Sequence, residues 1–353
     1  LTKKTRFKLS ALLAALLVVL SLLPAAPVLA SSTLTRSPVS GPAGTNVTIN
    51  GTGFANVTGI VWFDSDHDGV FDHPVEPSVT ANATVGGNFS VHLIVPTVAA
   101  GTYFIRADVP TGGPVEASIH FTVPPPIITL APTSGVPGTN VSVTGANFTI
   151  GASGIVWFDS DGDGVFDTGE PSVSPVTANA TGGFLVTLPP VPAVAPGAYS
   201  IRADVPLGAP WEASATFTVG VTAITLTPST GPPGTSVTVT GTGFTIGATG
   251  IVWFDSDGDG VFDTGEPFAS VTANATGGFS VLLPPVPAVV PGAYSIRADV
   301  PLGLPWEASA TFTLPATAIV LTPPSGGIGT TVTVNGTGFT VGATGIVWFD
   351  SDG

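Results

Sequence analysis

Three stretches of this sequence carry carboxylates at a spacing that suits a hard cation. The two cleanest run from Asp159 to Glu170 and from Asp255 to Glu266. In one the acids are Asp159, Asp161, Asp163, Asp167 and Glu170; in the other Asp255, Asp257, Asp259, Asp263 and Glu266. They fall at loop positions 1, 3, 5, 9 and 12, with Gly at 6, the ligand spacing of a twelve-residue calcium loop. Position 7, Val165 or Val261, would lend a backbone carbonyl, and the closing Glu both carboxylate oxygens. Ca²⁺ takes six to eight oxygens, whereas Mg²⁺ prefers a tight octahedron that keeps several waters, so Ca²⁺ is the expected cofactor. Asp and Gly also build ordinary turns. Five acids in twelve residues, however, repel one another unless a cation neutralises them. A first copy has Asp64, Asp66, Asp68 and Asp72, with Gly69 at position 6. Its Glu76 comes one residue late, and His67 and His73 lie inside it. A fourth copy breaks off at Asp350-Ser351-Asp352-Gly353 and could not bind alone, so the chain reads as part of something longer.

The charge balance follows from these loops. Residues 1–30 read as a secretory signal: a basic start (Lys3, Lys4, Arg6, Lys8), an apolar run from Leu9 to Leu23, and a small-residue cleavage site at Val28-Leu29-Ala30. The apolar run is short for a membrane span, and Pro24 ends it. An uncleaved anchor is the competing reading. Beyond residue 30 stand all 23 acids but only Arg36, Arg106, Arg202 and Arg297, a net charge of −19 without a single Lys. Seventeen of those acids sit in the acidic loops. This composition argues against nucleic acid or anionic lipid as partner, since both need basic patches. An exported chain with no Cys has no disulfides. A cation that binds only the folded state could stabilise it instead.

The elements that must position the loops repeat with them. The first loop Asp recurs at 64, 159, 255 and 350, a period of about 95 residues that suits a β-sandwich of immunoglobulin size. In the third copy, strands are expected at 224–227, 236–240, 250–254, 268–273, 278–283, 294–299 and 308–314. They alternate, and turns punctuate them every 8–12 residues. The fold class is therefore all-β: tandem immunoglobulin-like β-sandwich modules strung like beads, preceded by a helical signal peptide. The modules are expected at 32–123, 124–219 and 220–314, with a truncated one at 315–353. The links Pro124–Pro126, Gly220–Thr222 and Pro315–Thr317 are short, and the Pro-bearing ones restrict bending. Trp253 stands on the third strand, where immunoglobulin-type domains bury a Trp. Tyr294, after Pro291-Gly292, has the setting of a tyrosine corner, and Tyr103 and Tyr199 share it.

The stretch Ile224-Thr-Leu-Thr-Pro228-Ser-Thr-Gly231-Pro-Pro-Gly234-Thr-Ser-Val-Thr-Val-Thr-Gly241-Thr-Gly243-Phe244 resembles the opening of IPT/TIG immunoglobulin-like domains. Further copies start near Leu34, Ile128 and Ile319. The tail from Pro291-Gly-Ala-Tyr294 to Ala308-Ser-Ala-Thr-Phe312 is similar to prokaryotic surface repeats of that type. The resemblance covers 34–353 and implies an extracellular, non-catalytic module used in adhesion or envelope structure. The acidic loop departs from the family pattern. It looks like the loops of EF-hands and dockerins, but its flanks are strand-like, so no EF-hand is expected.

The four His (67, 73, 92, 120) all lie in the first copy, so no repeated chemistry needs imidazole. No Ser/His/Asp triad or activated nucleophile stands out, and the chain is expected not to be an enzyme. Arg297 is expected to make a surface ion pair with Asp299 or Glu307, or else to bind a partner's carboxylate. Trp211 and Trp306 lie in a loop where the first copy has Val115. They are expected either to cap the sandwich end or to stack on a glycan or anchor a protein. Sequons at Asn82, Asn179 and Asn274 matter only in a host that glycosylates exported proteins. Strand parity puts the acidic loop at the pole where the chain leaves each module, near the joint with the next. The function expected is a secreted or cell-surface spacer stiffened by calcium. The alternative is a module that binds an unidentified surface glycan or protein through the Trp211 and Trp306 loops. No nucleic acid is expected as partner, nor membrane insertion of the mature repeats.

Overall fold

The computed structural model describes residues 31–351 apart from 209, 304 and 305. The expected signal peptide lies outside the described residues. The chain divides into two units, Leu1–Pro125 and Pro126–Gly353. Among the described residues no helix is long and apolar enough to cross a membrane.

The first unit holds seven strands: β1 Thr33–Ser37, β2 Asn46–Thr52, β3 Thr58–Asp64, β4 Ser78–Asn82, β5 Phe89–Ile94, β6 Gly101–Asp108 and β7 Ala117–Val123. They form two antiparallel sheets, β1-β2-β5 and β4-β3-β6-β7. Val47, Ile49, Val61, Phe63, Ile105 and Phe121 meet between them with no exposed surface. Val47 and Ile49 alternate with polar neighbours along β2, the period-2 pattern of a sheet with one buried face, whereas Val61 and Phe63 stand in the apolar run Ile60-Val61-Trp62-Phe63.

The second unit repeats this sandwich twice. Its first module has β8 Ile127–Ala131, β9 Ser134–Gly135, β10 Ser142–Ala146, β11 Ser153–Asp159, β12 Ser172–Thr177, β13 Phe184–Thr187, β14 Gly197–Asp204 and β15 Ala213–Val219. The next has β16 Ala223–Thr227, β17 Thr238–Thr242, β18 Thr249–Asp255, β19 Phe268–Thr272, β20 Phe279–Leu282, β21 Gly292–Asp299 and β22 Ala308–Leu314. Sheet orders are β8-β10-β13 with β12-β11-β14-β15-β9, and β16-β17-β20 with β19-β18-β21-β22. The expected strand ends in this module stand within two residues of those observed. After its first strand each chain segment crosses to the second sheet. β9 runs parallel to β15, and Ser40–Thr122 and Thr230–Thr313 bridge the same way. Of the fourth copy, β23 Ala318–Thr322 pairs with β24 Thr333–Thr337, and both are exposed.

The tyrosine corners form as expected. The hydroxyls of Tyr103, Tyr199 and Tyr294 donate to the carbonyls of Ala99, Ala195 and Val290 at 2.7–2.8 Å.

Within the second unit, successive modules join through the turn after the first strand. Ile246 N–H donates to the Pro137 carbonyl at 2.9 Å, and Val341 N–H to the Pro233 carbonyl at 2.7 Å. Gly138 and Gly234 follow those prolines at φ +90° and +88°, where only Gly is unstrained. A β-carbon on Gly138 would stand 2.9 Å from Ile246 Cβ. Gly138→Ala is therefore expected to prise the joint open while leaving both sandwich cores intact. Proteolysis at the 220–222 link should speed up several-fold. The module that carries Gly138 should lose about 1–3 kcal/mol of unfolding free energy, the cost of holding a residue with a β-carbon at positive φ, and the module after it should be unchanged.

Candidate metal centre

The strand that leads into each acidic loop is buried on both faces. Gly250 to Asp255 are all buried, as are Gly154 to Asp159. Val252 and Phe254 point into the core, and register sets them opposite Ala298 and Ile296. Trp253 and Asp255 alternate with them and face outward, with Arg297 opposite Trp253. Trp253 is nevertheless only 2% exposed. The acidic loop doubles back over this outer face, and Phe262 of the loop packs edge-on against the indole at 6.1 Å. Trp157 with Phe166, and Trp62 with Phe71, repeat the arrangement. The expected core tryptophan is thus a tryptophan of the opposite face, roofed by the loop.

Arg297 also differs from its expected role. Its Nε donates to Asp255 Oδ2 at 2.7 Å, not to Asp299 or Glu307. Arg202–Asp159 and Arg106–Asp64 are the same pair at 2.6 and 2.5 Å. Each Asp side chain is wholly buried, and each Arg side chain is 13–18% exposed. Above the guanidinium lies the loop tryptophan: Trp306 covers Arg297, and Trp211 covers Arg202, each at 4.5 Å. Such stacking adds about 0.5–2 kcal/mol. Trp211 and Trp306 therefore lie on the sheet face beside the acidic loop, not over the sandwich end. A β-carbon on Gly260 would stand 3.6 Å from the Trp306 Nε1. Where the first module has Val115, Phe104 supplies the ring instead, 4.6 Å from the Arg106 guanidinium.

Within the loop, Asp159 Oδ1 accepts Gly162 N–H at 2.7 Å, Asp161 Oδ1 accepts Asp163 N–H, and Asp163 Oδ1 accepts Val165 N–H. Glu170 takes Ser160 N–H on one oxygen and Asp167 N–H on the other, tying position 12 to positions 2 and 9. The third module repeats these bonds through Asp255, Asp257, Asp259, Asp263 and Glu266. Val261, like Val165, donates its N–H to the acid two places before it.

In the first module the late Glu76 still reaches Ser65 N–H at 2.7 Å and Asp72 N–H at 3.3 Å. The extra residue is absorbed in the last turn, where Glu76 N–H bonds back to Asp72 across four residues rather than three. His67 adopts φ +71° at position 4, where the other loops use Gly162 and Gly258 at +83° and +82°. It donates its N–H to Asp64 as they do to their own first Asp. Its ring packs on Tyr103, with Nε2 at 3.0 Å from the Thr102 carbonyl, so His67 serves the turn. Burial, opposed by backbone N–H groups and abetted by Asp64 and Asp66, raises the Glu76 pKa.

The loop carboxylates gather in groups of three. Those of Asp64, Asp66 and Glu76 lie within 4.8 Å of one another, as do Asp66, Asp68 and Asp72. So do Asp159, Asp161 and Glu170; Asp161, Asp163 and Asp167; and Asp255, Asp257 and Asp259. Ligands about 2.4 Å from a shared Ca²⁺ can stand at most about 4.8 Å apart. The donor set is oxygen throughout. These clusters could hold a metal ion.

Strand parity holds for the start of the loop: Asp159 pairs with Ser200, at the same end of the sheet as Val219. Because the loop then folds back, none of the described residues lining the cavity between the second and third modules belongs to it.

No protein-family model matches this chain, and no curated protein matches it. Among solved structures, a tetra-tandem repeat from the extending region of a large adhesion protein is 16% identical over 82% of this chain and 75% of that one, with a TM-score of 0.23. The adhesin FdeC of Escherichia coli is 15% identical over 83% and 100%, at 0.23. A putative membrane-anchored protein of Corynebacterium diphtheriae is 13% identical over 76% and 86%, at 0.28. These likenesses are too faint to bear on function.

Proposed function

We propose that this chain is a secreted or cell-surface spacer of tandem immunoglobulin-like modules, each closing its acidic loop around one Ca²⁺. The observation that carries this reading is the clustering of loop carboxylates with a wholly buried first Asp in three copies, one of them a residue longer than the other two. The ion fixes the loop as a roof over the outer sheet face, so it stiffens the module rather than the joint. The leader-like first 30 residues and the IPT/TIG-like opening support an extracellular setting. There, affinities of about 10⁻⁴–10⁻³ M are typical. A second reading makes the same face a docking site for a surface glycan or protein. It is favoured by Trp211 and Trp306, which stay 37% and 38% exposed above their arginines.

Thermal unfolding of the full chain in Ca²⁺ and in chelator tests the first reading. Ca²⁺ at ten times Kd should stabilise each module by about 1.4 kcal/mol and raise its Tm by on the order of 5–10 °C. Mg²⁺ should do less. An unchanged Tm, with the loops equally open to protease, would remove the cation from the account.

A further inference from the structure

The six acids outside the acidic loops are not scattered. They form three pairs at matching positions, Asp108/Glu116, Asp204/Glu212 and Asp299/Glu307, within Asp-Val-Pro-x-Gly-x-Pro-x-Glu. Each pair spans the turn between the last two strands of its sandwich, at the pole opposite the acidic loop's start. In every copy the Glu lends one oxygen to the N–H of the Val after the Asp, at 2.6–2.7 Å. Asp108 lends Oδ2 to Gly112 N–H, and Asp299 to Gly303 N–H.

The other oxygens are the telling ones. Asp108 is 8% exposed, yet its Oδ1 is buried with no hydrogen-bond partner. The same holds for Oδ1 of Asp204 and Asp299 and for Oε1 of Glu307, among the described residues. In the first module the neighbouring backbone is fully described. A β-carbon on Gly113 would stand 3.7 Å from Glu116 Oε1, 3.7 Å from the Pro110 carbonyl and 3.8 Å from Asp108 Oδ1. Three oxygens thus surround the space that the missing side chain leaves open. Among the described residues no Arg is spare for them, and there is no Lys. Arg106, Arg202 and Arg297 are held by the first Asp of each acidic loop, and Arg36 turns to the Val39 carbonyl. A buried carboxylate oxygen without a partner is costly, and in the third module both members of the pair carry one. Burial, and then the neighbouring Asp, raises the pKa of Glu212 and Glu307.

We propose that each Asp/Glu pair, with the carbonyl of the intervening Pro, is a second divalent-cation site, suited to Ca²⁺ by its all-oxygen donors. Waters complete the shell, as Ca²⁺ allows. A proton shared between the two carboxylates would relieve the repulsion but leave the carbonyl unused. In the third module the site lies at a joint. Glu307 lines a cavity of about 370 Å³ between the second and third modules, with Pro137 and Pro196 on the far side. Thr222 of the link donates to the Glu307 carbonyl at 3.0 Å. A cation held there fastens the corner that the link crosses.

This inference does not depend on the acidic loops, and one experiment separates the two. Equilibrium dialysis of the full chain against saturating millimolar Ca²⁺ should find six ions per chain. Asp108→Asn with Glu116→Gln should remove one, with the circular dichroism unchanged. If that double variant does not fold, Glu116→Gln alone should do the same. Neutralising the acidic loops with Glu76→Gln, Glu170→Gln and Glu266→Gln should leave the pair-bound ions in place. Three ions per chain, unaltered by the pair variants, would overturn the inference even with every acidic loop filled. Uptake of a proton near neutral pH in place of the ion would overturn it equally.

Discussion

Arg297→Ala should unfold the third module at markedly lower urea, with a loss of about 3–5 kcal/mol, the range seen when one partner of a buried ion pair is removed. The size follows from the asymmetry of the pair. Asp255 has no exposed side-chain surface, so deleting Arg297 leaves a buried carboxylate facing only the N–H groups of Gly258 and Gly260. Trp306 also loses the cation beneath it. Arg36→Ala, which removes a half-buried side chain that pairs with no carboxylate and bonds only the Val39 carbonyl, should change stability by less than about 1 kcal/mol. Adding Asp255→Asn to Arg297→Ala should restore much of the loss, because Asn keeps an acceptor for those N–H groups without the charge. The single variant should also bind Ca²⁺ more tightly than the parent, since a positive charge beside the first ligand is gone. Its calcium-induced rise in Tm should therefore exceed the parent's. A loss below about 1 kcal/mol would mean that Asp255 reaches water.

Much of this was open to a reader of the sequence, and what was hidden has a physical cause. Strand positions, the sandwich class and the Tyr294 corner follow from alternation and from turn residues, which act locally. The destination of Arg297 does not, because its partner Asp255 is 42 residues away and lies on a different strand. The two lone features of the second and third modules, one Arg and one loop Trp, are each legible in the sequence. Only register places Arg297 opposite Trp253 and brings Trp306 over it. A clue was present in Ile251-Val252-Trp253-Phe254, since an unbroken apolar run marks a strand covered on both faces. What covers the second face is the acidic loop itself, which has no hydrophobic periodicity to announce it. The late Glu76 looked like a damaged motif. Backbone bonding shows that a closing carboxylate can keep its place when one residue is added to the turn before it. The acid pairs match no metal-loop pattern in the sequence, because eight positions separate the partners of each and no spacing rule for metal loops covers that distance.

Trp253→Ala carries the second large effect, and it distinguishes a roof from a core. Removing a buried Trp costs about 3–5 kcal/mol. Phe254→Ala, one residue on, should cost a similar amount, because Phe254 packs against Tyr294 and Phe312 inside the sandwich. The two variants should part company over calcium. Phe254 touches the inner face, so the folded fraction of Phe254→Ala should bind Ca²⁺ as the parent does. Trp253 supports the loop from below through Phe262, and Phe262 in turn packs on Phe268 at 4.9 Å. With the indole gone, the carboxylates of Asp257, Asp259 and Asp263 lose the surface that holds their backbone in place. Calcium affinity at the third loop should then fall several-fold, and protease should cut between Asp255 and Glu266, although Trp253 supplies no ligand. Such coupling is expected where a ligand loop is ordered by packing as well as by the ion, because each must meet part of the entropy of fixing it. Titration of the two variants side by side, with binding referred to the folded fraction, gives the answer. Equal calcium affinities in both would make Trp253 a packing residue with no hold on the loop, and the roof would have to be supported by the Asp255–Arg297–Trp306 stack alone.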